Sequence, residues 1–442
     1  MKLSKRLTGA AVAIWAALAP ALASAQPAVI RDAELEDIIQ GYAAPLLQAA
    51  GIPPGDVDLI LVNDNGINAF VAGGMNIFIF TGLIRQAASP DEVIGVIAHE
   101  IGHIAGGHIA RLGAEIEQAS TQALLSTILG VAAAVAAGRA DVGAAVAVGG
   151  QSTATRTLLA HTRVQESAAD QAAFRYLEAT GRSTDGLVAL LERLVDQELI
   201  SSRYQDPYVR THPLSRDRLA TAKAAAVRAR GGVHTASAEE IRRFRRAKAK
   251  LAGFMDQPQT TLDRYAGDDA DSRYARAIAH YRRGDLGQAL PLMDGLIAET
   301  PSDPFLLELK GQMLVENGRA APAAEAYRAA VALRPDDPAL LAPAAHAILE
   351  AGGAPEEAIR MLQRVTLKEP RNPGAWRQLG IAYGKQGDIG QASVALAEAA
   401  MLNGRRDDAL LQANRAQSHL KKGSTGWLKA EDIKRAAEAA KR

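Results

Sequence analysis

Apolar residues recur along this chain on three length scales, and each predicts a different kind of element. From Asp32 to Ala50 they follow the three-and-four spacing of an amphipathic helix. Val57–Val62, Ile67–Ala72 and Met75–Phe80 are short apolar runs that predict three strands, with Gly73-Gly74 as the tight turn between the last two. Ser89-Pro90-Asp91-Glu92 then predicts a helix start, with Ser89 at the N-cap, Pro90 in the first turn and Glu92 completing a capping box. Val93, Ile94, Ile97, Ile101 and Ile104 continue that helix at helical spacing. Further helices are predicted from Arg163 to about Thr180, closed by Gly181, then over Thr184–Ile200, and from near Ser215.

Beyond about residue 268 the pattern repeats over a longer span. Gly284, Gly318, Gly352 and Gly387 are separated by 34, 34 and 35 residues, and Pro301, Pro335 and Pro370 keep the same steps. Trp376, Leu379, Gly380, Tyr383, Gly387, Ala392 and Ala399 carry most of a tetratricopeptide signature. The glycines are expected at the turn inside each helix pair and the prolines at the end of each second helix. A degenerate fifth pair containing Trp427 is expected to cap the C-terminal end. Such stacked pairs form a superhelix whose concave face binds other chains and does no chemistry of its own.

The chemistry sits in the helix that begins at Pro90. His99-Glu100-Ile101-Gly102-His103 is an H-E-x-x-H, and helical spacing places both imidazoles on one face. Two nitrogen donors on adjacent turns with a carboxylate beside them suit a zinc hydrolase, in which Glu100 acts as general base. A third ligand must come from elsewhere. His108 lies ~140° round a continued helix from His103 and is expected to be a polar helix-end residue. Glu166 and Asp170 are four apart on the next predicted helix. A carboxylate pair at that spacing is ordinarily a solvated face. The functional alternative makes Glu166 the third ligand and Asp170 the partner that holds a ligand histidine by its free ring nitrogen.

The run from this helix to Glu166-x-x-x-Asp170 resembles the gluzincin peptidases of the HtpX and CAAX prenyl protease family. Asn68-Ala69-Phe70-Val71-Ala72, with Ile77–Gly82 after it, resembles that family's edge strand and the turn into the active-site helix. Thr211-His212-Pro213 with Arg218 resembles its late His-Pro…Arg motif. The resemblance implies an α+β zincin, mainly helical with a small sheet, followed by an all-α tetratricopeptide-repeat superhelix. It implies one zinc ion on His99, His103 and Glu166, with Asp170 behind them and substrate extended along Asn68–Ala72. His212 would either stabilise the tetrahedral intermediate with Arg218 or take the fourth zinc position in a latent enzyme. A third reading leaves it as a loop histidine. For an exported, repeat-bearing member, the resemblance implies endopeptidase action on misfolded or stalled outer-membrane proteins. The repeats would dock client or beta-barrel assembly machinery. The alternative is a chaperone or adaptor for the same assembly with a silent zinc site.

Composition narrows the picture further. The chain has 442 residues, a net charge of +1 and no cysteine, so nothing points to nucleic acid and thiolate chemistry is excluded. Lys2, Lys5 and Arg6, an apolar core over Leu7–Leu18, and Ala23-Ser24-Ala25 predict a cleaved signal peptide and a periplasmic mature chain from Gln26. The stretch 118–155 is almost uncharged but rich in Ala and Gly. It is expected to form a hairpin or lid beside the site, with peripheral membrane contact as the alternative. Arg242, Arg243, Arg245, Arg246, Lys248 and Lys250 predict a basic helix with a solvated face. The expected divisions are a signal peptide at 1–25, a peptidase domain at 26–230, a linker and basic helix at 231–267, and repeats at 268–442.

Overall fold

The computed structural model describes residues 29–72, 74–108, 163–195, 208–209, 212, 216–229 and 234–439. The expected signal peptide and the 118–155 stretch lie outside the described residues. The first unit holds strands β1 (Val29–Ile30), β2 (Asp58–Val62), β3 (Ala69–Ala72) and β4 (Asn76–Phe80). Its helices are α1 (Ala33–Ala49), α2 (Thr81–Gln86), α3 (Pro90–Ala105), α4 (163–179), α5 (Asp185–Leu194) and α6 (Arg216–Ala229).

The sheet runs in the order β1-β2-β4-β3, with β2 and β4 parallel and the outer pairs antiparallel. Alternation along β3 and β4 buries Ala69, Val71, Ile77 and Ile79 against the helices. Phe70 and Phe78 face each other across the ladder on the opposite side, their rings stacked 5.0 Å apart. This order leaves β3 at an edge of the sheet. The strand is shorter than the predicted Ile67–Ala72, and the Ile67 carbonyl instead accepts from Tyr208 N at 3.0 Å.

Helix α3 runs through the middle of the core, with Val93, Val96, Ile97 and Ile101 buried against α1, α5 and the sheet. It starts where the sequence predicts, with Ser89 at the N-cap and Pro90 in the first turn, but the capping box does not form. Glu92 is buried and drawn away to Arg193 Nη2 at 2.8 Å. Gly95 and Gly102 let neighbouring helices approach α3 closely, at Leu187 and Ala169. A Cβ at Gly102 would stand 2.7 Å from the Ala169 carbonyl, so α3 and α4 meet nearly backbone to backbone. That contact places the Glu166 turn beside the His99 turn.

The basic helix differs from its expected solvated face. It forms α7 (Ala238–Met255), opened by a capping box between Ser237 and Glu240. Phe244, Ala247 and Leu251 join the core of the first unit, while Ala249 joins a core with Tyr274 and Ile278 of the next unit. The cations on α7 meet acids from the start of α1. Arg243 pairs with Asp37, and Arg246 with Glu34 and Asp303. Lys250 is 1% exposed, its Nζ 2.7 Å from Asp32 Oδ2 and 3.2 Å from Glu34 Oε2. Tyr274 donates its hydroxyl to Glu34 Oε2 at 2.7 Å. The acids lie some 200 residues before the bases, so a reading of the helix alone could not pair them.

After α8 (Pro258–Arg264), five helix pairs follow: α9 and α10 (Ala270–Arg282, Leu286–Glu299), α11 and α12 (Pro304–Glu316, Ala320–Leu333), α13 and α14 (Pro338–Glu350, Pro355–Lys368), α15 and α16 (Pro373–Gln386, Ile389–Leu402), α17 and α18 (Arg406–His419, Thr425–Ala439). Gly284, Gly318, Gly352 and Gly387 all have positive φ and lie at the turns inside the first four pairs. Each expected proline follows a second helix, and the fifth pair contains Trp427 as expected. Ala33 at the start of α1 packs with Phe305 and Leu340, and Arg334 reaches Asp37 at 2.6 Å, so the helix pairs grip the first helix of the first unit. Among the described residues, no helix is long and apolar enough to cross a membrane.

Candidate metal centre

Four buried side chains from three parts of the fold converge: His99 and His103 from α3, Glu166 from α4 and His212 from the chain before α6. One ligand atom from each lies within 4.8 Å of all the others. His99 Nε2 is 3.0 Å from His103 Nε2 and 3.3 Å from His212 Nδ1. Glu166 Oε1 is 3.4 Å from His103 Nε2 and 3.2 Å from His212 Nδ1. Donors about 2.0–2.1 Å from a tetrahedral metal stand roughly 3.3 Å from one another. The residues present therefore fit a small divalent ion. A second observation agrees. Glu100 is wholly buried beside the cluster, and neither of its oxygens makes a hydrogen bond. A buried carboxylate without a hydrogen bond is costly in a folded core and marks a place where function sets the residue.

Behind the donors lies a tightly bonded layer. Asp170 Oδ1 stands 2.9 Å from His99 Nδ1, leaving Nε2 to face the cluster. Arg218 holds Asp170 with two bonds, Nε to Oδ2 at 2.8 Å and Nη2 to Oδ1 at 2.9 Å, and reaches Glu166 Oε2 at 2.9 Å through Nη1. Its guanidinium faces these two carboxylates.

The electrostatics follow from burial and from these pairings. Burial pushes His99 down, but the Asp170 and Glu166 carboxylates outweigh it and hold the imidazole at about 10. His103 goes the other way, lowered to about 4 by burial and by its cationic neighbours, despite Glu166. Burial raises Glu100, against the charges of His212 and His99. Glu166 is held well below the ordinary carboxylate range, because His212 and hydrogen bonds from the histidines overcome its burial.

His212 is among the donors and also touches the edge strand. Its Nε2 lies 3.2 Å from the Ala69 carbonyl and 3.4 Å from Glu100 Oε1, and Tyr208 stacks on its ring. The structure thus brings one end of the Asn68–Ala72 stretch to the centre. His108 is the residue the sequence reading missed. It is 5% exposed, with Nδ1 3.0 Å from His103 Nδ1. The angle computed on a continued helix does not apply, because α3 ends at Ala105 and Gly107 takes φ +64, turning the chain back. Gly106-Gly107 was the readable signal.

Residues 30–226 match the profile of peptidase family M48, and residues 236–304, 274–338 and 314–379 match tetratricopeptide-repeat profiles. The first repeat match begins inside the expected linker and takes in α7. Over 405 residues the chain is 27% identical to the beta-barrel assembly-enhancing protease of Escherichia coli (strain K12), covering 90% of this chain and 81% of that one. The protein of the same name from Yersinia pestis is 27% identical over 376 residues, covering 82% and 75%. Metalloprotease YcaL of Escherichia coli (strain K12) is 29% identical over 165 residues, covering 36% of this chain and 60% of its own. The M48 match spans α3, α4 and the His212 segment, and the repeat matches follow it, so an M48-type peptidase domain at 30–226 precedes tetratricopeptide repeats.

Proposed function

We propose that this chain is an exported zinc endopeptidase that cleaves misfolded or stalled envelope proteins, with outer-membrane beta-barrel proteins as its clients. The observation that carries the proposal is the buried Glu100, without a hydrogen bond, beside a set of three imidazoles and one carboxylate. Three histidine nitrogens and a glutamate oxygen are the donor types zinc takes. His99, His103 and Glu166 would hold the ion, which when bound supplies an activated water and a polarised carbonyl.

The chain's own residues do the rest. Asp170 and Arg218 fix His99 and Glu166. Glu100 takes the attacking water's proton on its carboxylate and delivers it to the leaving amide nitrogen. Main-chain groups of β3 bind substrate as an added strand, a mode tolerant of side-chain identity. The client class and the periplasmic location rest on similarity to the beta-barrel assembly-enhancing proteases and on the signal-like first 25 residues. The repeats would dock client or assembly machinery.

His212 favours one refinement. With Nδ1 among the donors it would fill the position that water needs, giving a latent enzyme opened by withdrawal of His212. A His212→Ala variant is then expected to cleave an unfolded client severalfold faster than wild type at equal zinc content, read as fragments on a gel. An unchanged or slower rate contradicts latency. The closed site also keeps open the adaptor reading, in which the repeats alone act. Full support of barrel assembly in cells by Glu100→Gln would favour it.

Metal loading must displace a proton from His99. With that imidazole held at about 10 in the metal-free protein, zinc binding at pH 7.5 is expected to release about one proton, and affinity to weaken as pH falls. Calorimetry in buffers of different ionisation enthalpy measures this directly. In the metal-free protein the sign for stability is opposite. The raised His99 contributes fully below its unfolded value of about 6.5 and loses that contribution as pH rises through about 10.

A further inference from the structure

We propose that His108 is a positioning residue for the zinc site above: its Nδ1 accepts a hydrogen bond from His103 Nδ1 and so fixes the tautomer that turns His103 Nε2 to the metal. The inference rests on that zinc site and adds a residue to it.

Three observations support the assignment. The two Nδ1 atoms are 3.0 Å apart, and the rings meet edge to face at 81° with centroids 5.0 Å apart. One nitrogen must therefore donate and the other accept. His103 Nε2 faces His99 Nε2 and Glu166 and must present a lone pair to a metal, so the hydrogen stays on His103 Nδ1. That leaves His108 as a neutral imidazole protonated on Nε2. The backbone is also shaped for this contact. Gly107 adopts φ +64, and a Cβ at Gly106 would come within 2.3 Å of His108 Nε2. Both glycines are needed to seat the ring.

The two ligand histidines are consequently held by different means. His99 leans on the Asp170 carboxylate, itself fixed by Arg218, whereas His103 leans on a neutral ring at the end of its own helix. Outer partners of this kind typically change metal affinity by about 10- to 100-fold when removed.

The test is zinc affinity, measured by chelator competition on the full chain, with thermal unfolding as a check on folding. His108→Phe keeps a ring but offers no acceptor, and it is expected to bind zinc about 10- to 100-fold more weakly. His108→Asn restores an acceptor oxygen and is expected to recover most of that loss. Gly106→Ala, which displaces the ring without changing it, should resemble His108→Phe. Long-range proton–nitrogen spectra of the zinc-loaded wild type should show His103 protonated on Nδ1 and His108 on Nε2. Wild-type affinity in His108→Phe, equal losses in the Phe and Asn variants, or the opposite tautomers would each overturn the assignment. A wild type that binds no zinc would overturn the site itself together with this inference. Zinc bound normally by His108→Phe would remove only the inference.

Discussion

Glu100→Gln is expected to bind one zinc ion with near wild-type affinity and to lose cleavage of an unfolded client by about 10²- to 10⁴-fold, the usual contribution of a general base. The amide matches the carboxylate in shape but cannot take a proton. Glu100 makes no hydrogen bond in the structure and meets His212 Nε2 only at 3.4 Å, so the substitution breaks little that holds the fold. Its carboxyl is already raised by burial, so removing the charge also removes a desolvation cost. The unfolding midpoint should therefore stay level or rise. Loss of activity together with loss of stability or zinc would point to a structural role for Glu100 instead.

Glu34→Ala is expected to destabilise the chain by about 3–5 kcal/mol, the usual consequence of removing one member of a buried ion pair. Lys250 and the Tyr274 hydroxyl both lose a partner there, and Arg246 loses one of its two carboxylates. The effect should appear as a lower unfolding midpoint and as earlier proteolysis between α6 and α9. Burial raises Glu34, but Lys250 and Arg246 outweigh it and hold the carboxyl at about 2. The folded value lies below the unfolded one of about 4.3, so this stabilisation is complete above that pH and is lost as pH falls towards 2. Joint replacement, Glu34→Leu with Lys250→Met, should cost less than Glu34→Ala alone, because no buried charge is then left unpaired. A midpoint unchanged in Glu34→Ala would mean that the joint does not hold the two units together.

The sequence carried the local part of this picture well. The α3 start, the H-E-x-x-H face and the 34-residue repeat all depend on neighbours within a few turns, and periodicity reads such features. Glu166 and Asp170 were legible only as a spacing, which a solvated helix face shares; their meaning comes from Gly102 letting α4 lie against α3. Three features escaped because they depend on distant chain or on a broken helix. The basic face of α7 looked solvated until α1 supplied its acids, and His108 looked misplaced because the wheel was extended past a double glycine. Glu92 escaped for a similar reason. Its cap partner was local, but Arg193, 101 residues later, draws it away.

The most direct measurement is a time course of unfolded outer-membrane barrel protein incubated with the His212→Ala chain at one zinc per chain, followed by chelation and zinc re-addition. The account predicts fragments that accumulate, stop on chelation and resume with zinc. No fragments from a folded chain with its zinc bound would contradict it.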